Sequence, residues 1–220
     1  NYLAVTAAAE ILVGAGHNPG FGLSWMIHNV VSRLVFWELG REEQRARYLP
    51  ELAVGRLSPS ISISEPGVGA HPKHLRTRAD GRDGGFLLNG EKSYLTNGPF
   101  VDLYVVLAIT GGKEERKEFS AFIVPKETPG VVLTPPLALD SFHPSPHCGI
   151  RLTDCAVPAA SMIGPRGGAY QAIAIAFRES EDVTLSGLVS GGMTRQLELL
   201  VAALRHEAER VTSSLSRKAM

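Results

Sequence analysis

The sequence predicts an α+β protein with its helices and an antiparallel sheet segregated along the chain. Apolar residues recur at helical spacing before Ser58 and after Pro158, and at a spacing near two between them. Turn signals fall between the short-period runs, as in an antiparallel domain. A helix, sheet, helix order argues against a doubly wound sheet. We therefore divide the chain into an N-terminal helical domain over 1–57, an antiparallel β domain over 58–157 and a C-terminal helical segment over 158–220.

The first helix carries an apolar stripe of Ala7, Ala8, Ile11 and Leu12. Trp25, Ile27, Val30, Val31, Leu34 and Val35 make a second helix apolar on most of its circumference, which predicts burial. Gly40 closes it, and Glu42-Glu43-Gln44-Arg45 opens a shorter amphipathic helix ending near Gly55. Strands are expected over 58–64, 74–79, 85–92, 102–109, 119–124 and 148–153. Asn89-Gly90 reads as a hairpin, since both residues tolerate positive φ, and Thr128-Pro129-Gly130 as a second turn. Two helices follow, over 168–178 and 184–216, the longer carrying Leu185, Leu188, Leu197, Leu200, Val201 and Leu204. That stripe needs a covering surface, so an oligomer is expected.

Lys and Arg together number 22, as do Asp and Glu, so no excess charge exists to attract a nucleic-acid backbone or an anionic membrane. An anionic ligand must be met locally. No apolar run reaches the length of a spanning helix, and Asn1-Tyr2-Leu3-Ala4 provides neither an initiator Met nor a basic leader. A cytoplasmic protein whose N-terminus lies upstream is the expectation. Cys148 and Cys155 lie in one strand, where seven residues span roughly 23 Å and put them on opposite faces, so they should stay reduced. The histidines show no ligand spacing: His17, His28, His143 and His147 read as cap, core or surface residues, and no metal site is expected. His71 and His74 stand beside a glycine turn and could assist an anion, though solvated loop residues are the simpler reading.

Four segments in order resemble the acyl-CoA dehydrogenase family. They are Gly40-Arg41-Glu42-Glu43-Gln44 through Tyr48-Leu49-Pro50, Ser64-Glu65-Pro66-Gly67-Val68-Gly69, Lys92-Ser93-Tyr94-Leu95-Thr96-Asn97-Gly98, and Asp154-Cys155-Ala156-Val157-Pro158. Phe122 to Gly130 lies between them and is similar too. The resemblance implies FAD held along Ile63, Ser64, Gly69, Ala70, Tyr94, Leu95 and Thr96. In the family the glycine turn holds the pyrophosphate, the hydroxyl at Ser64 bonds the ring, the aromatic at Tyr94 lies beside it and Thr96 donates toward its reactive end. Gly67 and Gly69 suit such a turn, because their backbone can approach a ligand and aim N–H groups at it; an ordinary surface turn has the same pattern. Ser64 replaces the usual Thr and keeps the hydroxyl, whereas Ala70 replaces a usual Ser and loses it. Tyr94 could also merely fill the sheet's face, and Thr96-Asn97-Gly98 is a good turn in any case.

The family's chemistry takes a proton α to a thioester carbonyl while the β hydrogen leaves to the flavin, and it requires a desolvated carboxylate base. Most members carry that base in a region beyond Met220. A smaller group carries it earlier, in a Leu-Asp-x-Glu-Arg pattern. Counting back from Gly187 puts Ser180 at that base position and Glu181 at the arginine, so both depart from the pattern. A slip of one residue makes Glu181 the base; the alternative is an acidic first turn complementing a helix that begins near Asp182. Glu198, Glu207 and Glu209 lie too far along the helix, Glu198 some 25 Å away at about 1.5 Å per residue. The Arg-x-x-Phe-Gly segment of the family's last helix is absent, and the charges from Arg205 to Arg210 read as a solvated face. The resemblance thus implies a flavoprotein of fatty acid metabolism that dehydrogenates an acyl-CoA and forms a homo-oligomer or pairs with a related subunit. A relative that keeps the fold as a structural or partner-binding subunit, without catalysis, is the alternative.

Overall fold

A computed structural model describes residues 1–139 and 142–218. Helix α1, Tyr2–Gly16, is opened by Asn1, whose side chain accepts from the Leu3 N–H, and closed by His17 in the left-handed region. Its buried residues are Ala9 and Val13, whereas Ile11 of the expected stripe is 67% exposed. Close approach to a later helix selects that face: a methyl group at Gly187 would overlap the Thr6 carbonyl, and one at Gly191 the Glu10 carbonyl. Small side chains win over large ones there. Helix α2, Pro19–Val31, starts from Asn18, whose side chain accepts from Phe21 N–H, and continues as a wider π turn over Ser32–Glu38. Leu23, Met26, Ile27, Val30, Val31, Leu34, Val35 and Phe36 are all buried, as the continuous apolar run predicts. Helix α3 is Glu42–Ala53.

The strands are β1 Pro59–Ser62, β2 Arg78–Arg82, β3 Gly85–Thr96, β4 Leu103–Lys113, β5 Arg116–Pro125, β6 Val131–Leu133, β7 His147–Pro158 and β8 Met162–Ile163. They form one sheet in the order β6-β7-β3-β2-β4-β5-β8. It is antiparallel except that β1, and β2 at one position, run parallel to β4. Leu103 to Ile109 are all buried because β4 separates two cores. Leu103, Val105, Leu107 and Ile109 face the helices, while Tyr104, Val106 and Ala108 pack with Leu88, Ile150, Leu152 and Phe122 of the sheet's other half. A strand covered on both faces has no polar alternation.

Three expectations for the sheet change. Asn89-Gly90 is no hairpin: β3 runs straight through it with a shift in pairing to β7, and Gly90 is needed because a side chain would strike Thr77. The hairpin turn is at Asp83-Gly84, where Gly84 has φ 78°. The strand expected at 74–79 begins only at Arg78 and runs to Arg82. Finally, Asp154 at φ 47° inserts a residue into β7's alternation, so Cys155 packs on the side of Ile150 and Leu152 that Cys148 shares by parity. The two cysteines are therefore not on opposite faces, yet both remain free and buried.

After Pro158 the chain forms a π turn over Tyr170–Ile175 and then one helix, α4, Ala176–Lys218. The expected break between 178 and 184 does not exist, and no helix starts at Asp182. Ser180 Oγ donates to the Ala176 carbonyl and Thr184 Oγ1 to the Ser180 carbonyl, so these polar residues bond back within the helix instead of capping one. Among the described residues no helix is long and apolar enough to cross a membrane.

Candidate functional site

A cavity of about 650 Å³ lies where the end of β1, the end of β3 and the start of α4 meet. Ile61, Ile63, Ala174, Ile175 and Phe177 give it apolar walls, and Ser60, Ser64, Ser93 and Thr96 place hydroxyl residues along it. His71, Arg178, Glu181 and Asp182 supply the ionisable groups.

The chain after β1 is tied to β3 by a buried ion pair. Lys92, 1% exposed, donates from Nζ to Glu65 Oε1 at 2.9 Å and to the Ile63 carbonyl at 3.0 Å. Glu65 also accepts the N–H groups of Arg76 and Thr77, and the Ser93 N–H donates to the Ser64 carbonyl. Burial pushes Lys92 down to about 8, against the opposing pull of the Glu65 charge. Burial alone would raise Glu65, but the Lys92 charge and the Thr77 bonds hold it below the ordinary carboxylate value. This pair fixes the spacing between the Ser64 and Tyr94 segments, and the sequence reading assigned it no role. No sequence signal marked it, because Lys92 sits in the polar run Asn89-Gly90-Glu91-Lys92-Ser93.

Gly67 and Gly69 have φ of 73° and 62°, as the turn requires. The N–H groups of Val68 and Gly69, however, both donate to the Glu65 carbonyl. Gly69 thus shapes the turn without aiming its own N–H at a ligand, and it does not line the cavity, whereas Ala70 does. Tyr94 has φ 60° at an irregularity in the β3–β7 pairing, and is 62% exposed. The sheet does not use its ring as filling. Leu95, next along, is fully buried in the second core, so its side chain does not reach the cavity.

Thr96 lines the cavity and its Oγ1 lies 3.0 Å from Nε2 of His147, whose Nδ1 is 3.1 Å from the Ser145 carbonyl. In the sequence His147 reads as a cap, core or surface residue; β3–β7 pairing sets it opposite Thr96. Ser93 Oγ is buried at the cavity with no hydrogen-bond partner among the described residues. An orphaned hydroxyl, an outward aromatic ring and a mixed apolar and polar wall fit a flat heteroaromatic group with polar edges, as FAD has. His71 and Arg178 can meet an anionic part of such a ligand.

On α4, Glu181 lines the cavity, while Ser180 is bonded within the helix and Glu179 is exposed and outside the lining. Burial, and secondarily the charge of Asp182, raise the Glu181 carboxyl above its ordinary value. The π turn just ahead shifts the phase at which α4 presents its side chains, since each added residue rotates all later positions by about 100°. Spacing alone does not reveal that shift.

Residues 60–155 match the acyl-CoA dehydrogenase middle domain. An acyl-CoA dehydrogenase of Bacillus subtilis is 33% identical over 149 residues, 68% of this chain and 39% of that protein. L-prolyl-[peptidyl-carrier protein] dehydrogenase of a Serratia species is 30% identical over 192 residues, 86% of this chain and 49% of that protein. Among solved structures, the FAD complex of PigA superposes with a TM-score of 0.82 at 26% identity, over 91% of this chain and 52% of that one. Butyryl-CoA dehydrogenase of Megasphaera elsdenii gives 0.74 at 25% identity, over 86% and 49%. The chain spans about half the length of these relatives.

Proposed function

Because this chain belongs to the acyl-CoA dehydrogenase family, we propose that its cavity binds FAD and serves the α,β-dehydrogenation of an acyl thioester, with acyl-CoA as substrate class. The observation that carries the reading is the convergence of Ser64, Ala70, Tyr94, Thr96 and Glu181 on one cavity, although they come from three separate segments. Ile63, Ser64 and Ala70 would line one side of the cofactor, Tyr94 would stack beside it and Thr96 would bond its ring edge; Gly69 and Leu95 act by holding backbone. When bound, FAD supplies the two-electron acceptor for the β hydrogen of the thioester. Glu181 takes the α proton onto a carboxylate oxygen. Its raised basicity strengthens it as a base, and its apolar surroundings of Ile175 and Phe177 limit water. An oligomer is part of the same proposal, supported by the apolar side chains of α4 that are exposed among the described residues.

The reading is tested by adding FAD to the protein and following the flavin spectrum. Stoichiometric binding that weakens about tenfold or more in Tyr94→Ala is expected, since base–aromatic stacking is worth about 1–3 kcal/mol per ring in comparable sites. No binding by the wild-type protein would favour the second reading, a subunit that keeps the fold without the chemistry. The departure at Ser180, where the resemblance puts the base, is the observation in favour of that reading.

A further inference from the structure

The Ser145 carbonyl can only accept a hydrogen bond, so the bond at 3.1 Å places a proton on Nδ1 of His147. A neutral ring then has a lone pair at Nε2, and the Thr96 hydroxyl 3.0 Å away must donate to it. The ring is buried at 6% exposure, with its centroid 6.3 Å from that of Phe142 and the two planes tilted by 44°. Burial holds its basicity below the ordinary histidine value, more than the Ser145 bond raises it. His147 is thus neutral at pH 7 and the hydroxyl proton of Thr96 is engaged away from the cavity. The backbone that carries both side chains is held in place, because the Thr96 carbonyl accepts from Ser60 Oγ at 2.8 Å and Thr96 pairs with His147 in the sheet.

We propose that His147 is a positioning residue that orients the Thr96 hydroxyl so that it presents a lone pair, not a proton, to the cavity. This departs from the donor role that family resemblance implies for Thr96. Its consequence rests on the FAD reading above. With FAD bound as proposed, a ring nitrogen that is a bare acceptor when oxidised and an N–H when reduced would meet an acceptor at Thr96, and the pocket would favour the reduced cofactor. Removing His147's lone pair would release the hydroxyl proton and let it donate to the oxidised ring.

Nitrogen-15 NMR of labelled histidine in the FAD-free protein tests the orientation directly: at pH 7 the His147 ring should be neutral with its proton on Nδ1. A proton on Nε2 would overturn the proposal, whether or not FAD binds. In the FAD-loaded protein, His147→Phe keeps a ring against Phe142 but removes the acceptor. The ratio of oxidised to reduced FAD affinity should rise three- to tenfold, a fall in midpoint potential of up to about 30 mV for a two-electron couple. His147→Gln, whose amide can accept from Thr96 and donate to Ser145, should restore the wild-type potential, and adding Thr96→Val to His147→Phe should remove its effect. An unchanged potential in a folded His147→Phe protein would overturn the proposal. If wild-type protein binds no FAD, the cofactor reading falls, while the tautomer still decides the orientation of Thr96.

Discussion

Up to Gly192, α4 lies against α1 and α2; from Met193 onward it carries Met193, Leu197, Leu200, Val201 and Leu204 at 37–65% exposure. In the first stretch glycines set the fit: Gly187 and Gly191 meet the backbone of α1, and Ser190 Oγ bonds Glu10 across the same seam. In the second, leucines face solvent on one continuous helix. Helical continuity therefore does not mark where the core ends; the end of α1 does. The packed stretch also holds Glu181 against the cavity. The packed stretch is also open on another face, since Asp182 borders both the cavity and an apolar groove that runs from Leu185 to Leu197 and continues into the bare stretch. A fully buried Leu gains roughly 1.5–3 kcal/mol, so covering several of these residues gives ample reason to associate.

Substitutions separate the interior of the cavity side from the bare stretch. The largest effect is expected from Lys92→Met, which strands Glu65 in the interior and should cost about 3–5 kcal/mol in urea unfolding; Lys92→Met with Glu65→Gln, which removes the charge but keeps an acceptor for the Arg76 and Thr77 N–H groups, should recover part of it. Gly187→Val comes next. It pushes α1 from α4 and should cost roughly 1–3 kcal/mol, with Glu181 displaced and FAD binding weakened. Leu197→Glu with Leu200→Glu should leave the stability of an isolated chain within about 0.5 kcal/mol while lowering the sedimentation coefficient of the oligomer. A large stability loss in that double variant at concentrations where the chain is monomeric would mean that the stretch is core after all.

The smallest effect is on pH dependence. His28 and His147 are both held below the ordinary histidine value, first by burial. The unfolded chain therefore binds more protons than the native one just below pH 6.5, and stability should decline as pH falls through that window. Combining His28→Gln and His147→Gln should flatten the slope relative to wild type. Equal slopes would show that neither ring is buried neutral.

Period and turn chemistry made the helical and β regions, the buried α2 and the Thr96-Asn97-Gly98 turn legible in the sequence. What they missed has physical causes. Asn89-Gly90 has hairpin composition, but Gly90 answers to the approach of Thr77, a contact from a distant segment. The α1 stripe of Ala7, Ala8, Ile11 and Leu12 lay one to two positions off the face on which Ala9 and Val13 are buried. Glu65 and Lys92 are 27 residues apart, and neither shows its partner in one dimension. The same holds for Thr96 and His147. Glu181 was identified through a family pattern that it breaks by one position, and α4 runs unbroken from Ala176 past Gly187, so the helix itself supplies no offset for that break.

The central claim is that Glu181 removes a substrate proton in a cavity that holds FAD. Anaerobic mixing of the FAD-loaded protein with acyl-CoAs of several chain lengths, in wild type and Glu181→Gln, tests it most directly. Wild-type flavin absorbance should bleach with at least one of them, and Glu181→Gln should bind FAD with unchanged affinity but bleach at least about a hundredfold more slowly, because the amide keeps the shape without the basicity. Bleaching at the same rate in both proteins, or none in FAD-loaded wild type with any chain length, would contradict the account.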